Sequence, residues 1–117
     1  MKMTITMPRG DIRPVNFNVK DDKGRTPDID FDEIYFTVKS SFDRSSYLFQ
    51  KRLSTGEIEQ MQDGSYQFVI ESYDTDRLKF GKYVFDIELC AGADLKQTFV
   101  GELILTDEAT YVTNEGS

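Results

Sequence analysis

Apolar and polar residues alternate along most of this chain, and this period of two limits what it can fold into. The alternation is clearest over residues 34–39, 66–71 and 82–90. Successive side chains of a β-strand point to opposite faces of a sheet, so each segment has one face for a core and one for solvent. Alternation also runs over residues 1–7, 15–20, 57–61 and 97–105, and residues 47–53 indicate a further strand of mixed facing. The sequence therefore predicts about eight short strands.

Turn residues separate these segments. Gln62-Asp63-Gly64 lies between two alternating segments, and an Asp-Gly pair in that position is a strong hairpin signal. Residues 91–94 interrupt the pattern again and predict a second hairpin. Residues 74–81 begin with Asp and Thr and end with Gly, which predicts one short helical turn between strands.

Short strands at intervals of ~8–12 residues predict an all-β fold, an antiparallel β-sandwich of seven to eight strands, with a barrel as the alternative. One spacing favours an immunoglobulin-like sandwich. Leu78-x-x-Gly81-x-Tyr83-x-Phe85 matches a tyrosine corner, in which a Tyr near the start of the sixth strand bonds back to the preceding backbone. We expect the Tyr83 hydroxyl to be buried and bonded within residues 74–81. Phe85 stands where antibody domains have a disulfide Cys, as expected of a domain made in a reducing compartment.

The 117-residue length predicts one domain, which we place at residues 1–112, followed by a flexible tail at 113–117. The chain has no His and a single Cys, Cys90. It therefore has no imidazole base or His metal ligand, and it cannot form an internal disulfide or a thiolate zinc site. We predict no catalytic residue, no cofactor and no metal site, so the chain is not expected to be an enzyme.

Two acidic patterns could in principle supply a metal site or a catalytic pair. Asp28-x-Asp30-x-Asp32 resembles the opening of a calcium loop, but Glu33 stands at the sixth position, where the loop needs Gly. Lys39 stands at the twelfth position, where the loop needs a bidentate acid. The pattern therefore favours a solvated acidic loop.

The pair Asp86/Glu88 could in principle act as acid and base, but its i,i+2 spacing on a strand favours the solvent face of a sheet. Arg9-Gly10-Asp11 matches a cell-adhesion tripeptide that is frequent by chance, and a turn is the better interpretation.

The charge distribution bears on partners. The net charge is −7, residues 1–60 are balanced, and the whole excess of acids lies in residues 61–117. A nucleic-acid-binding protein needs a basic surface, and an anionic membrane repels a chain of this charge, so neither partner is expected. No segment has the apolar length of a signal peptide or a membrane span, which predicts a cytoplasmic protein.

The segment from residue 47 to residue 53 is a candidate docking edge. Tyr47, Leu48 and Phe49 are guarded only by Lys51 and Arg52, whereas an open sheet normally protects its outer strand with charge, Pro or a bulge. A partner strand could add to such an edge. The alternative is that this segment is an interior or well-covered strand.

Several short motifs, in order, resemble the immunoglobulin-like domain of phage and prophage tail proteins, similar to the N-terminal domain of baseplate upper proteins. The motifs are Arg9-Gly10-Asp11, Asp22-Lys23-Gly24, Pro27-Asp28-Ile29, residues 34–39, Asp63-Gly64-Ser65-Tyr66, Asp74-Thr75, the spacing from Leu78 to Ile87, Gly101-Glu102-Leu103 and Asp107-Glu108-Ala109-Thr110.

This resemblance implies a non-catalytic structural module of a phage or prophage particle, in its tail, baseplate or neck. Its expected partners are other phage structural proteins, or further copies of the chain. It would lie in the bacterial host cytoplasm during assembly and then in the virion. The residues leave a second function open, a carbohydrate- or host-protein-binding sandwich that uses the surface aromatics Tyr35 and Tyr47.

Overall fold

The computed structural model describes residues 3–19, 31–41, 46–92 and 95–107, with the side chains of residues 95 and 96 left aside. The first four strands are β1 (Met3–Pro8), β2 (Arg13–Phe17), β3 (Glu33–Lys39) and β4 (Phe49–Arg52). The next elements are β5 (Ile58–Gln60), β6 (Tyr66–Ile70), the helical turn α1 (Ser72–Thr75), β7 (Gly81–Ala91) and β8 (Leu95–Thr106). The predicted strands are confirmed, and the predicted tail at 113–117 lies outside the described residues.

The strands form two separate sheets packed as a β-sandwich, not a closed barrel. The larger sheet has the order β1-β8-β7-β3-β4, and the smaller has the order β2-β6-β5. The prediction of a wholly antiparallel sandwich is wrong for one pair, because β1 runs parallel to β8 from Met3 opposite Gly101 to Pro8 opposite Thr106. A hairpin turn forces its two strands to be antiparallel. β1 and β8 lie at opposite ends of the described chain, so no such turn joins them.

The alternating pattern supplies the core between the sheets. Phe36 is fully buried at its centre, where its ring centroid lies 4.2 Å from that of Phe68 in the opposite sheet and 5.1 Å from that of Phe85. Ile87 and Leu89 on β7 are also buried, as the period of two predicts. Phe, Ile, Leu, Val and Met side chains from both inner faces form one continuous hydrophobic cluster.

The helical turn α1 begins earlier than the sequence indicated. Asp74 is the third residue of the turn and is buried, and its carboxylate accepts a hydrogen bond from the Glu71 N–H at 2.8 Å. Thr75 is also buried, and its hydroxyl accepts a hydrogen bond from the Gly10 N–H at 2.9 Å. Asp74 is thus the third-position residue of a capping box with the N-cap residue Glu71, so it lies inside the first turn and not ahead of it.

Gly101 allows a close contact inside the larger sheet. A Cβ atom at this position would overlap the Phe85 ring and the carbonyl oxygen of Met3. Glycine in a strand often marks such an approach of another group to the backbone. The absence of a side chain at Gly101 therefore leaves room for the Phe85 ring and for the backbone of Met3.

Candidate functional site

The tyrosine-corner residues lie around the start of β7. The Tyr83 hydroxyl donates a hydrogen bond to the backbone carbonyl of Lys79 at 2.7 Å. Leu78 is half-buried and packs against the core, Gly81 opens the strand with a φ of 135°, and Phe85 is buried. The bond is exposed to solvent, whereas we expected a buried one. Tyr83 lies near the end of the sandwich, where its ring covers the core while its hydroxyl reaches the surface.

The candidate docking edge forms β4, which is an outer strand of the larger sheet. Its side chains do not form one surface. Phe49 and Lys51 point inward and are 6% and 4% exposed, Leu48 is half-buried, and Tyr47 is 55% exposed. Arg52 is exposed, and its guanidinium carbon lies 5.1 Å from the centroid of the Tyr35 ring. Phe49 therefore belongs to the core and is not available for docking.

Lys51 protects this edge from the inside. Its ammonium group lies 2.7 Å from an Asp74 carboxylate oxygen, and the two side chains are 5% and 8% exposed. The ion pair joins the outer strand β4 to α1. Inward-pointing charged residues are one way in which natural proteins protect an outer strand from pairing with another chain. If β4 moved away from α1, the buried charges of Lys51 and Asp74 would lose each other as partners, which is costly.

The backbone of β4 is also closed at both ends of its outer side. The Arg52 N–H donates to the Glu57 carboxylate at 3.3 Å, and the Arg52 carbonyl accepts from the Thr55 hydroxyl at 3.2 Å. The Leu48 carbonyl accepts from the Arg77 guanidinium at 3.1 Å. These groups are the ones a partner strand would need for main-chain hydrogen bonds.

The opposite edge is open over part of its length. β8 runs from residue 95 to residue 106, and β1, described from Met3 onward, pairs with it from Gly101 to Thr106. The described residues therefore leave the outer side of residues 95–100 without a neighbouring strand. We call this stretch the open half of β8. The candidate docking edge of the sequence analysis did not include it.

An apolar groove lies beside the open half of β8. It encloses about 280 Å³ and is lined mainly by apolar side chains: Met3, Phe17, Val19, Phe85, Ile87, Phe99 and Val100, together with the polar Asn18. Phe99 pairs opposite the buried Ile87 and faces the same side, yet it is 41% exposed. In the sequence, the signal for this groove is the alternation of Phe99 with the buried Leu103 and Leu105.

A second depression lies on the outer face of the larger sheet and encloses about 310 Å³. Its lining is polar and aromatic: Tyr35, Thr37, Lys39, Tyr47, Gln50, Asp86 and Glu88. The strand register explains this grouping. Thr37 of β3 lies between Asp86 of β7 and Gln50 of β4. We call this depression the outer-face pocket.

The carboxylates of the outer-face pocket differ in their surroundings. Burial raises the pKa of the Asp86 carboxyl, Lys39 acts against this rise, and the charge of Glu88 adds to it. Among the described residues, no group donates a hydrogen bond to the Asp86 carboxylate. The Cys90 thiol lies 3.7 Å from a Glu88 carboxylate oxygen. The pair thus lies on the outer face of the sheet, as the i,i+2 spacing indicated.

The acidic loop of the sequence analysis is described only in part, because Asp28 and Asp30 lie outside the described residues. The Asp32 carboxylate accepts a hydrogen bond from the Gly92 N–H at 2.6 Å. Within the described ranges, no group of three or more His, Cys, Asp or Glu side chains could hold a metal ion. In the same ranges, no helix has the length and apolar character needed to span a membrane.

Comparisons with known proteins identified no relative of this chain. Protein-family models, curated proteins and solved structures gave no significant match to this chain.

Proposed function

We propose that this chain is an immunoglobulin-like, non-catalytic assembly module of a bacteriophage or prophage particle. It acts through protein–protein contacts in the tail, baseplate or neck, and its partners are other structural proteins of the particle. The partner adds a strand to the open half of β8 and covers the apolar groove.

The strand order supports the immunoglobulin-like part of this proposal. In constant-type immunoglobulin domains the second, fifth and fourth strands are neighbours in one sheet, and the third, sixth and seventh in the other. When β1 and β4 are set aside, the remaining strands follow the same order, β2-β6-β5 and β3-β7-β8. β4 then takes the place of the extra strand that variable-type domains add beside the third strand.

The tyrosine corner supports the same assignment. In that numbering β7 corresponds to the sixth strand, and the Tyr83 hydroxyl bonds back to Lys79 four residues upstream. Phe85 follows Tyr83 by two residues and is buried where antibody domains have their second disulfide Cys.

The open half of β8 carries the proposal of an assembly role. An outer strand presents unpaired N–H and C=O groups, and natural sheets usually protect them. Here β4 is protected, whereas residues 95–100 lie next to an apolar groove with Phe99, Val100 and Met3 each 37–44% exposed. A strand added in line with β1 would continue an existing ladder and place alternate side chains in the groove.

The chemistry of the chain favours assembly over catalysis or nucleic-acid binding. It has no His, and its carboxylate pair Asp86/Glu88 lies on an open sheet face that does not exclude water. The net charge of −7 opposes contact with phosphate backbones.

The test uses particles purified from a phage or lysogen that carries this gene. Mass spectrometry should find the chain in density-purified particles at a fixed ratio to their other structural proteins. The variant Phe99→Glu should melt close to the wild type, since Phe99 is already half-exposed, but should be lost from the particles.

Ile12→Glu is the matched control, because Ile12 is 64% exposed and lies away from the groove. It should be incorporated like the wild type. Absence of the wild-type chain from purified particles would contradict the assembly role. Normal incorporation of Phe99→Glu would contradict the assignment of the contact to β8.

A further inference from the structure

The backbone of the open half of β8 has the arrangement that an identical strand needs for pairing. The Thr106 carbonyl accepts a hydrogen bond from the Arg9 N–H on the β1 side, and β8 pairs with β7 without interruption. Alternate residues of an antiparallel strand direct their N–H and C=O groups to alternate neighbours. Lys96 and Thr98 therefore direct these groups to the side on which the described residues place no strand.

We propose that the strand added to the open half of β8 is the open half of β8 from a second copy of this chain. The two strands run antiparallel about a two-fold axis and join the two five-stranded sheets into one. This inference rests on the proposed function, because it identifies the partner at the docking edge proposed there.

Met3 limits the register of such a pairing. If the two-fold axis passed through Thr98, Leu95 of the second copy would lie opposite Gly101, where Met3 already pairs. If the axis passes through Gln97, Leu95 of the second copy lies opposite residue 99 and the new ladder ends before β1 begins. The register centred on Gln97 is therefore the one that fits beside β1.

This register also uses the outward main-chain groups. Lys96 of each copy lies opposite Thr98 of the other, and both residues direct their N–H and C=O groups outward. Each of these two pairs can exchange both of its N–H···O bonds. Gln97 lies opposite Gln97 of the second copy, in a pair without main-chain hydrogen bonds between the copies.

The charge of this edge favours a second copy as the partner. The chain has a net charge of −7, so two copies repel each other wherever their acids meet. Residues 95–100 contain one Lys and no Asp or Glu, and the described residues that line the groove are uncharged. A basic partner would find no carboxylate in this strand, whereas two copies can meet here without bringing acids together.

Apolar surface lies in the same contact. Phe99 pairs opposite the buried Ile87 and faces the groove side of the sheet, where it is 41% exposed. The register places Phe99 of each copy opposite the apolar residue Leu95 of the other. Covering Phe99 and the groove beside it adds a hydrophobic contribution to the main-chain hydrogen bonds.

Pairing with a second copy leaves no open half of β8 at the outside. The joined sheet ends on both sides at β4, whose outward groups at both ends already bond to Glu57, Thr55 and Arg77. A two-fold contact uses the same surface on both copies, so it closes on itself. The expected product is a dimer and not a filament.

The test is analytical ultracentrifugation of the purified chain over a series of concentrations. The wild type should pass reversibly from monomer to dimer with a dissociation constant on the order of 10 μM, as for a small strand-addition interface. In dilute solution the Thr98 amide should exchange rapidly, and its exchange should slow as the dimer forms. A chain that stays monomeric up to about 1 mM would overturn the proposal. So would a monomer with a protected Thr98 amide at every concentration, because a segment of the chain itself would then cover the edge.

Two substitutions at Thr98 separate the main-chain bond from the side chain. Thr98→Pro removes an outward N–H that takes no part in pairing with β7, so the fold should be kept. It should weaken dimerisation by about tenfold or more. Thr98→Ala keeps the N–H and is the matched control, which should dimerise like the wild type. Equal dimerisation of Thr98→Pro and the wild type would overturn the proposal.

Disulfide trapping tests the register, and it decides the question if Thr98→Pro fails to fold. The two Gln97 Cα atoms should lie about 4.5 Å apart across the axis, which a disulfide can span. In a Cys90→Ser background, Gln97→Cys should give a covalent dimer on mild oxidation. Thr4→Cys, at an exposed position of β1, is the control and should not. Failure to trap Gln97→Cys, or equal trapping of Thr4→Cys, would overturn the pairing through β8.

Particle incorporation distinguishes this proposal from the proposed function. A chain that enters purified particles but stays monomeric in solution would overturn the second copy as the partner and leave the assembly role. A chain that is trapped as a dimer through Gln97→Cys but is absent from particles would support the second copy and contradict the assembly role.

Discussion

The two edges of the larger sheet are built in opposite ways. On the β4 edge, side chains of Glu57, Thr55 and Arg77 bond to the outward backbone groups, and Lys51 points inward to Asp74. On the other edge, the described part of β1 pairs with β8 from Gly101 onward, and the described residues place no strand beside the open half of β8, which lies next to an apolar groove.

This difference shows that the position of a strand at the edge of a sheet does not by itself make it a docking site. What matters is whether its outward N–H and C=O groups already have partners and whether apolar surface lies next to them. By both criteria we propose that the open half of β8, and not β4, is the docking edge of this chain. The following substitutions test the closed edge, the boundary at Gly101 and the connection between them.

The largest effect is expected at Lys51. The Lys51→Met variant leaves the buried Asp74 carboxylate without its cation, and we expect a loss of about 3–5 kcal/mol in the free energy of unfolding. Chemical denaturation followed by circular dichroism measures this loss. The double variant Lys51→Met/Asp74→Asn removes both charges and should recover much of it.

A Lys51→Met protein that unfolds like the wild type would show that the ion pair does not hold β4. In that case the β4 edge would be no more closed than the open half of β8, and the comparison would fail.

The next largest effect is expected at Gly101, which pairs opposite Met3, the first described residue of β1. The Gly101→Ala variant places a methyl group against the Phe85 ring and the Met3 carbonyl. We expect a loss of about 2 kcal/mol, as for overpacked cores. Thr98→Ala, on the exposed side of the open half, is the control and should change the free energy of unfolding by less than about 0.5 kcal/mol. Equal stability of Gly101→Ala and wild type would contradict the close contact.

A smaller effect is expected at Tyr83, which pairs opposite Leu103 in the covered half of β8. Because the hydrogen bond from its hydroxyl to Lys79 is exposed, Tyr83→Phe should cost about 0.5–1 kcal/mol and not the larger amount of a buried bond. Thermal unfolding detects this change. A loss several times larger would show that the tyrosine corner is more buried than the structure indicates.

The smallest effect is expected in the pH dependence of stability, through Glu33. The Glu33 carboxylate accepts a hydrogen bond at 2.9 Å from the N–H of Ser54, which follows the end of β4, and another at 3.1 Å from the Ile34 N–H. Burial alone would raise the pKa of Glu33, but bonds from Ser54 and Ile34 and the charge of Arg52 lower it overall. A lowered folded-state pKa stabilises the fold above the unfolded-state pKa, and this stability is lost as pH falls through the folded value.

Glu33→Gln should therefore lower the free energy of unfolding slightly at pH 7, by less than about 0.5 kcal/mol, and flatten its decline below about pH 4.5. Denaturant unfolding at several pH values measures both effects. Glu59→Gln, at an exposed position in the other sheet, should leave the pH profile unchanged. If Glu33→Gln left the pH dependence of the free energy of unfolding unchanged, Glu33 would not contribute to the stability of the β4 edge.

The local pattern predicted much of this fold. The alternation of Phe85, Ile87 and Leu89 placed β7 correctly, and Asp63-Gly64 located the β5–β6 hairpin. Such signals depend on neighbouring residues alone. The parallel pairing of β1 with β8 joins segments about a hundred residues apart, and no local pattern records which distant strands meet.

The site was less predictable for a related reason. Phe49 and Lys51 are two residues apart on β4 and therefore share one face, so the burial of Phe49 implies that Lys51 also points inward. The partner of Lys51, Asp74, comes within reach only through the packing of α1, which the local sequence does not indicate. Gly101 at an inward position of β8 signalled a close approach, although not to which ring.

The most direct test of the difference between the two edges is amide hydrogen exchange in the isolated chain. The Thr106 carbonyl faces β1, where it accepts a hydrogen bond from the Arg9 N–H. Because β8 pairs with β7 without interruption, every second residue before Thr106 faces the same side. The N–H groups of Thr98 and Val100 therefore also point to the β1 side. We expect the amide of Thr98 to exchange rapidly and those of Glu102 and Ile104 slowly. Equal protection of these three amides would contradict an open half of β8.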